Sequence, residues 1–202
     1  MDNSMMASYA DQAKEAELGV RLQRGDVTAI EQLFKTYFDR LYSLVFNQVG
    51  RNQAVAEDII QETFLSALNS ASRFRGQSKP YTWLCSIAYH KVVDFYRRQQ
   101  KEAQRKAGVD CVDDPLSEQT ADTEPLPDSL LESEETRQVV EQALFRLPAD
   151  YRQALILKYV EEMSVLEISQ IMRRSVKSVE GLLTRGRKAL QAVLADSGEG
   201  LQ

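Results

Sequence analysis

The chain has 202 residues, of which 43% are apolar, 27% charged and 8% aromatic, with nine glycines and five prolines. That length holds one domain or two small ones with real cores, and periodic segments rich in Ala, Leu, Glu, Gln and Arg point to an all-α fold. Thirty acids against twenty-five bases leave a net charge of −5, which excludes a general attraction for nucleic acid, so a basic helix in this chain must serve a local purpose.

Cys85 and Cys111 lie in unlike contexts and form no spaced framework, which suits a reducing cytoplasm. Met1 to Lys14 lacks the basic and apolar regions of a signal peptide. Nothing approaches the apolar run that a membrane span needs. A soluble cytoplasmic protein without membrane insertion is expected.

A first helix is expected over Gln12–Arg24, ended by Gly25. Asp26 can cap a second, in which Ile30, Leu33, Phe34, Tyr37, Leu41, Leu44 and Val45 repeat as one apolar stripe. Asn52 can cap a third, with Ala56, Ile59, Ile60, Thr63, Phe64, Ala67, Leu68 and Ala71 as its buried stripe. Opposite that stripe lie Asp58, Gln61, Glu62 and Leu65. A leucine among acid and amide side chains fits docking on a basic partner, and it also fits a solvated face with one exposed leucine.

After the loop Ser72–Ser78, Pro80 suits the first turn of a long fourth helix that buries Leu84, Ile87, Ala88, Val92 and Phe95. Away from that stripe stand Ser86, Tyr89, His90, Val93, Tyr96 and Arg97, preceded by Tyr81 and Trp83. Aromatic rings interleaved with basic groups, beside Arg73, Phe74 and Arg75, suit stacking on unpaired bases and pairing with phosphates. Trp83 and some tyrosines fit completion of the core as well, and His90, the only histidine, fits a plain surface position.

Between Lys106 and Arg137 the chain carries ten acids and no base, leaving the remainder at +5. With Pro115, Pro125 and Pro127 and little apolar periodicity, the segment is expected to be an extended or disordered linker.

Beyond it, Leu147 to Leu194 has the pattern of a helix-turn-helix. Tyr151, Ala154, Leu155 and Tyr159 follow Pro148 at helical spacing. A turn at Glu161–Met163 leads to Ser164 and Glu167, a capping box for a short helix burying Val165, Ile168, Ile171 and Met172. Ser175 can cap a last helix, with Val176, Val179, Leu183 and Leu190 inward and Lys177, Ser178, Glu180, Arg185, Arg187 and Lys188 outward. A short helix, a tight turn and a longer helix with a basic face is the geometry that enters a major groove.

Several short runs stand in a fixed order: Glu57-Asp58-Ile59-Ile60-Gln61-Glu62-Thr63-Phe64, Phe74-Arg75-Gly76, Tyr81-Thr82-Trp83-Leu84, Ile87-Ala88 and Asp94 to Arg98. After the linker come Leu147-Pro148, Arg152, Glu167-Ile168 and Arg185-Gly186-Arg187-Lys188-Ala189-Leu190. In this order and spacing the chain resembles the extracytoplasmic-function sigma factors of bacterial RNA polymerase, in the sigma-70 superfamily, over about Leu18–Gln100 and Leu131–Leu190. The resemblance implies two small helical domains. Residues 12–104 would bind core polymerase and open the −10 element, residues 105–130 would be the acidic linker, and residues 131–195 would read the −35 element.

Carried over, Asp58, Gln61, Glu62 and Leu65 would dock on the basic clamp helices of the polymerase's largest subunit. Arg73, Phe74, Arg75, Gln77 and Ser78 would capture a flipped base, and Tyr81, Trp83, Tyr89, His90 and Arg97 would hold the opened strand. Within the helix-turn-helix of residues 164–188, Lys177, Ser178, Glu180, Arg185, Arg187 and Lys188 would face the −35 duplex. The implied partners are core polymerase, promoter DNA and an anti-sigma factor.

The chain also departs from the family. The turn Met172–Ser175 has no glycine, so a left-handed residue there would be an arginine, at about 1–2 kcal/mol. Glu180 and Leu182 stand where relatives often carry basic groups, and Gly181 and Gly186 each weaken the helix by about 1 kcal/mol. Cys85 and His90 cannot complete a metal site, and neither a glycine-rich phosphate loop nor a nucleophile–base pair is present. A binding protein without metal, cofactor or enzymatic activity is therefore expected. The rival is a helical DNA-binding regulator that acts without polymerase, which would need neither the Asp58 face nor the Arg73–Trp83 segment.

Overall fold

The computed structural model describes residues 15–107 and 134–198. Most of the expected linker, Cys111 and the expected start of the first helix at Gln12 lie outside these residues. All regular structure within them is helical.

Helix α1 covers residues 15–23 and ends as its sequence requires. Gly25 adopts φ +72°, and the N–H groups of Gly25 and Asp26 donate to Leu22 and Arg21 carbonyls at 3.0 and 3.1 Å, the paired bonds of a Schellman motif. Asp26 then caps α2 (Val27–Gln48) by accepting from the Thr28 N–H. Asn52 caps α3 (Gln53–Ser70) by accepting from Val55 at 3.2 Å. A 3₁₀ turn, Ala71–Arg73, leads into the loop before α4 (Pro80–Ala107). The second described stretch holds α5 (Glu134–Arg146), α6 (Ala149–Leu155), a π-helical turn (Ile156–Val160), α7 (Val165–Met172) and α8 (Val176–Gly198).

The described residues divide into two compact units, one running to Asp94 and including Gln170–Met172, the other holding those from Phe95 to Ser169 and from Arg173 onward. In the first, α2 packs against α3 and Leu22, Leu33, Leu41, Leu44 and Leu84 are almost fully buried. Each such side chain contributes about 1.5–3 kcal/mol of burial. In the second, α6 packs on α8 around Leu155, Leu157, Val179 and Leu182.

Some side chains depart from the expected stripes. Phe34 and Leu68 are 44% and 48% exposed, and Val176 is exposed, whereas Leu182 is fully buried. The apolar rows of α2 and α3 are wider than the line along which two helices touch, so their edge residues overhang it. Val176 stands at the first position of α8. Leu182 follows Val179 by three residues and so lies on its inward face.

Candidate functional site

On α3 the buried row is Ala56, Ile59, Ile60, Thr63 and Ala67. The Thr63 hydroxyl is made compatible with burial by donating to the Ile59 carbonyl at 2.7 Å. Asp58, Gln61, Glu62 and Leu65 are all exposed, Leu65 at 54%. Glu62 also meets Lys91 of α4 at 3.1 Å.

The leucine is not isolated. Leu65 and Leu68 line an apolar groove with Phe34, Phe38 and Phe64, edged by Glu31 and Gln61. Phe34 lies 4.9 Å from Phe38 and 4.7 Å from Phe64, centroid to centroid. Periodicity alone assigns Phe34, Phe64 and Leu68 to the core, whereas packing leaves them lining this groove. The available signal was the excess width of the two apolar stripes, more than one helix–helix contact can cover.

The loop after α3 splits the expected base-contacting residues into two sets. Arg73, Arg75 and Gln77 are exposed, Ser78 is half-buried, and Gly76 takes a left-handed φ of +68°. Phe74, Tyr81 and Tyr89 are each only 5% exposed. Phe74 packs on Trp83 at 5.2 Å. Tyr81 lies 5.1 Å from Tyr37, with the Arg40 guanidinium 4.2 Å above its ring. Tyr89 meets His90 edge-on at 5.2 Å. Tyr81, Cys85 and Tyr89 form an i, i+4 row beside Leu84, Ala88 and Val92, so the spacing that assigns burial was present in the sequence. Trp83 and His90 are half-buried and Arg97 is exposed.

In the last unit, Ser164 and Glu167 close the expected capping box. The Glu167 N–H donates to Ser164 Oγ at 3.2 Å, and the Ser164 N–H donates to Glu167 Oε2 at 3.0 Å. Arg173 takes the left-handed conformation, φ +53° and ψ +44°, and Arg174 pairs with Asp150. Ser175 Oγ accepts from the Ser178 N–H at 3.2 Å, capping α8. Lys177, Glu180 and Lys188 are exposed, while Ser178, Arg185 and Arg187 are half-buried. The Arg185 guanidinium lies along Gly181, and Arg187 Nη1 donates to the Tyr159 hydroxyl at 3.3 Å. The N-terminal end of α8 thus presents a base, Lys177, and one turn in an acid, Glu180, with the Ser178 hydroxyl half-buried between them.

Among the described residues no group of three or more His, Cys, Asp or Glu side chains could hold a metal ion, and no helix is long and apolar enough to cross a membrane. Cys85 is buried.

Residues 33–102 match the family model of sigma-70 region 2, and residues 137–190 match that of sigma-70 region 4. The chain is 31% identical over 177 residues to the ECF RNA polymerase sigma factor SigW of Bacillus subtilis, covering 87% of this chain and 94% of the relative. It is 34% identical over 160 residues to SigX of the same organism, covering 79% and 80%, and 31% identical over 183 residues to the ECF sigma-E factor of Escherichia coli, covering 90% and 94%. Among solved structures, the sigma factor RpoE in complex with the anti-sigma factor NepR from Bartonella quintana has a TM-score of 0.61 at 22% identity, covering 82% of this chain and 96% of that one. CnrH in complex with the cytosolic domain of CnrY has a TM-score of 0.63 at 23% identity, covering 90% and 97%.

Proposed function

The chain belongs to the extracytoplasmic-function sigma factors of the sigma-70 family, which bind core RNA polymerase and direct promoter-specific transcription initiation, and from this we infer how its surfaces divide that work. The α3 face of Asp58, Gln61, Glu62 and Leu65 docks on the basic clamp helices of the polymerase's largest subunit, and the groove of Phe34, Phe64 and Leu68 beside it receives apolar side chains of the same partner. Arg73, Arg75, Gln77 and Ser78 hold a base flipped from the −10 element, with Trp83, His90 and Arg97 along the opened strand. Phe74, Tyr81 and Tyr89 support that surface from beneath. Lys177, Ser178 and Glu180 approach base edges of the −35 element, and Arg185, Arg187 and Lys188 pair with its phosphates.

We propose two domains, residues 12–104 and 131–195, joined by the acidic segment, acting by binding alone in the cytoplasm, where polymerase and promoter meet. An anti-sigma factor, the kind of protein bound to the structural neighbour RpoE, is proposed as a further partner.

The exposed α3 face beside its groove carries this conclusion. Large exposed apolar patches with a polar rim mark protein interaction sites, and a regulator working without polymerase has no use for one here. Run-off transcription with purified core polymerase tests it. Asp58→Arg is expected to keep the helical circular dichroism and lose core binding, because like charges across an interface typically cost several kcal/mol. Unchanged core affinity would overturn the assignment of that face. Arg187→Ala, tested alongside, is expected to weaken all promoters alike and lower the salt slope by about one unit.

A further inference from the structure

We propose that α1, which precedes both regions matched to the family models, is the brace of the base-capturing loop, with Gln23 as its positioning residue. The inference rests on the role given above to the loop after α3.

Helix α1 is itself firmly held. Leu18 and Leu22 are buried in the first unit, Arg21 Nε donates to Asp26 Oδ2 at 2.8 Å, and the Tyr37 hydroxyl donates to Glu15 Oε1 at 3.1 Å. From this fixed base it lies beside Phe74 near the start of the loop, beside Gly76 at its apex, and beside Pro80, the first residue of α4. At Gly19 the helix backs onto the Phe74 ring and Pro80, for a Cβ there would lie in ordinary contact with them, 3.5 Å from Phe74 Cε1 and 3.7 Å from Pro80 Cγ. At the apex the Gln23 amide occupies the space over Gly76. A Cβ on Gly76 would stand 2.0 Å from Gln23 Nε2 and 3.3 Å from its Cδ.

Gly76 is required by its φ of +68°, and the absence of a side chain there leaves room for the exposed Gln23 amide to lie on it. Arg75 and Gln77, on either side, remain exposed. A loop free to shift would present these groups to a flipped base in many geometries. A loop held against α1 presents them in fewer, and such preorganisation separates productive from unproductive binding. Gln23 then acts on promoter opening through the loop, by filling the space over Gly76.

The full-length protein with core polymerase provides the test. Gln23→Ala is expected to leave core affinity and the melting temperature unchanged. It should slow open-complex formation on duplex promoter roughly five-fold, the lower end of what one lost base contact costs, and flatten discrimination at the captured base. Activity on a pre-melted template should be retained. Gln23→Met, which keeps the volume over Gly76 without the amide, is expected to restore both rate and discrimination. Wild-type behaviour of Gln23→Ala would overturn the brace, and so would a Gln23→Met variant as impaired as alanine, which would place the polar group itself on DNA. Gln77→Ala in the same assays separates the layers. If it leaves promoter opening and base preference untouched, the role given to the loop fails and the brace with it. If it impairs them while Gln23→Ala does not, the brace alone fails.

Discussion

Arg173 shows what a single backbone angle can hold in reserve. Its φ of +53° and ψ of +44° end α7 in the left-handed region, where an L side chain other than glycine costs about 1–2 kcal/mol. Arg173→Gly is expected to raise unfolding stability by about 1 kcal/mol, read from urea midpoints; an unchanged or lower midpoint would mean that the arginine side chain offsets the strain. Asp26 makes a second prediction at this scale. Its Oδ1 accepts from the Thr28 N–H at 2.9 Å and the Thr28 hydroxyl at 2.7 Å, and Oδ2 accepts from Arg21 Nε at 2.8 Å. These bonds, Thr28's first and then Arg21's, hold its carboxyl down to about 2 against an ordinary 3.8. The ionised form is favoured by folding, so its contribution is whole above the ordinary value and is lost as pH falls through about 2. Stability measured from pH 5 to pH 2 should fall less steeply for Asp26→Asn than for wild type; equal slopes would remove Asp26 from the acid transition.

Gly186 is the element-scale counterpart, because it governs how closely α6 and α8 meet. A Cβ there would lie 3.4 Å from Leu155 Cδ1 and Cγ and from Tyr151 Cβ. That distance is ordinary contact, so alanine fits and adds helix propensity. Gly186→Ala is expected to stabilise the protein by up to about 1 kcal/mol, whereas Gly186→Leu should destabilise it by about 1–3 kcal/mol through overpacking. Thermal melts of the pair check this, and destabilisation by alanine would show that the glycine is needed for closer approach. The caps at Asp26, Asn52, Ser164 and Ser175 were legible because each side chain bonds a backbone group within three residues. The π-helical turn at Ile156–Val160 was not legible, because no local residue type demands it.

For the whole molecule the charge partition matters more than the net value. Residues 108–130 hold seven acids and no base, so their removal changes the net charge from −5 to +2. Excision is expected to tighten binding of the free protein to non-promoter duplex at low salt, since the acidic segment opposes DNA's charge. Fluorescence anisotropy with a random duplex measures it; unchanged affinity would show that the basic faces act without interference from the segment.

The all-helical fold, the helix caps and the exposed set of Asp58, Gln61, Glu62 and Leu65 were determined by the sequence itself. They follow from periodicity and local hydrogen bonding, which act within a few residues. Tertiary structure decided which apolar residues lie inside. The rings of Phe74, Tyr81 and Tyr89 went inward and those of Phe34 and Phe64 stayed at a surface groove, although all five belong to apolar or aromatic patterns. Arg152 was legible only as part of a motif. Packing buries it, places its guanidinium over the rings of Phe145 and Tyr96, and lowers its pKa by desolvation. The contact of Gln23 with Gly76 joins residues 53 positions apart, and no local pattern encodes it. Periodicity states that a side chain is apolar and on which face it stands, but whether that face is covered depends on where the neighbouring helices end and how closely they pack.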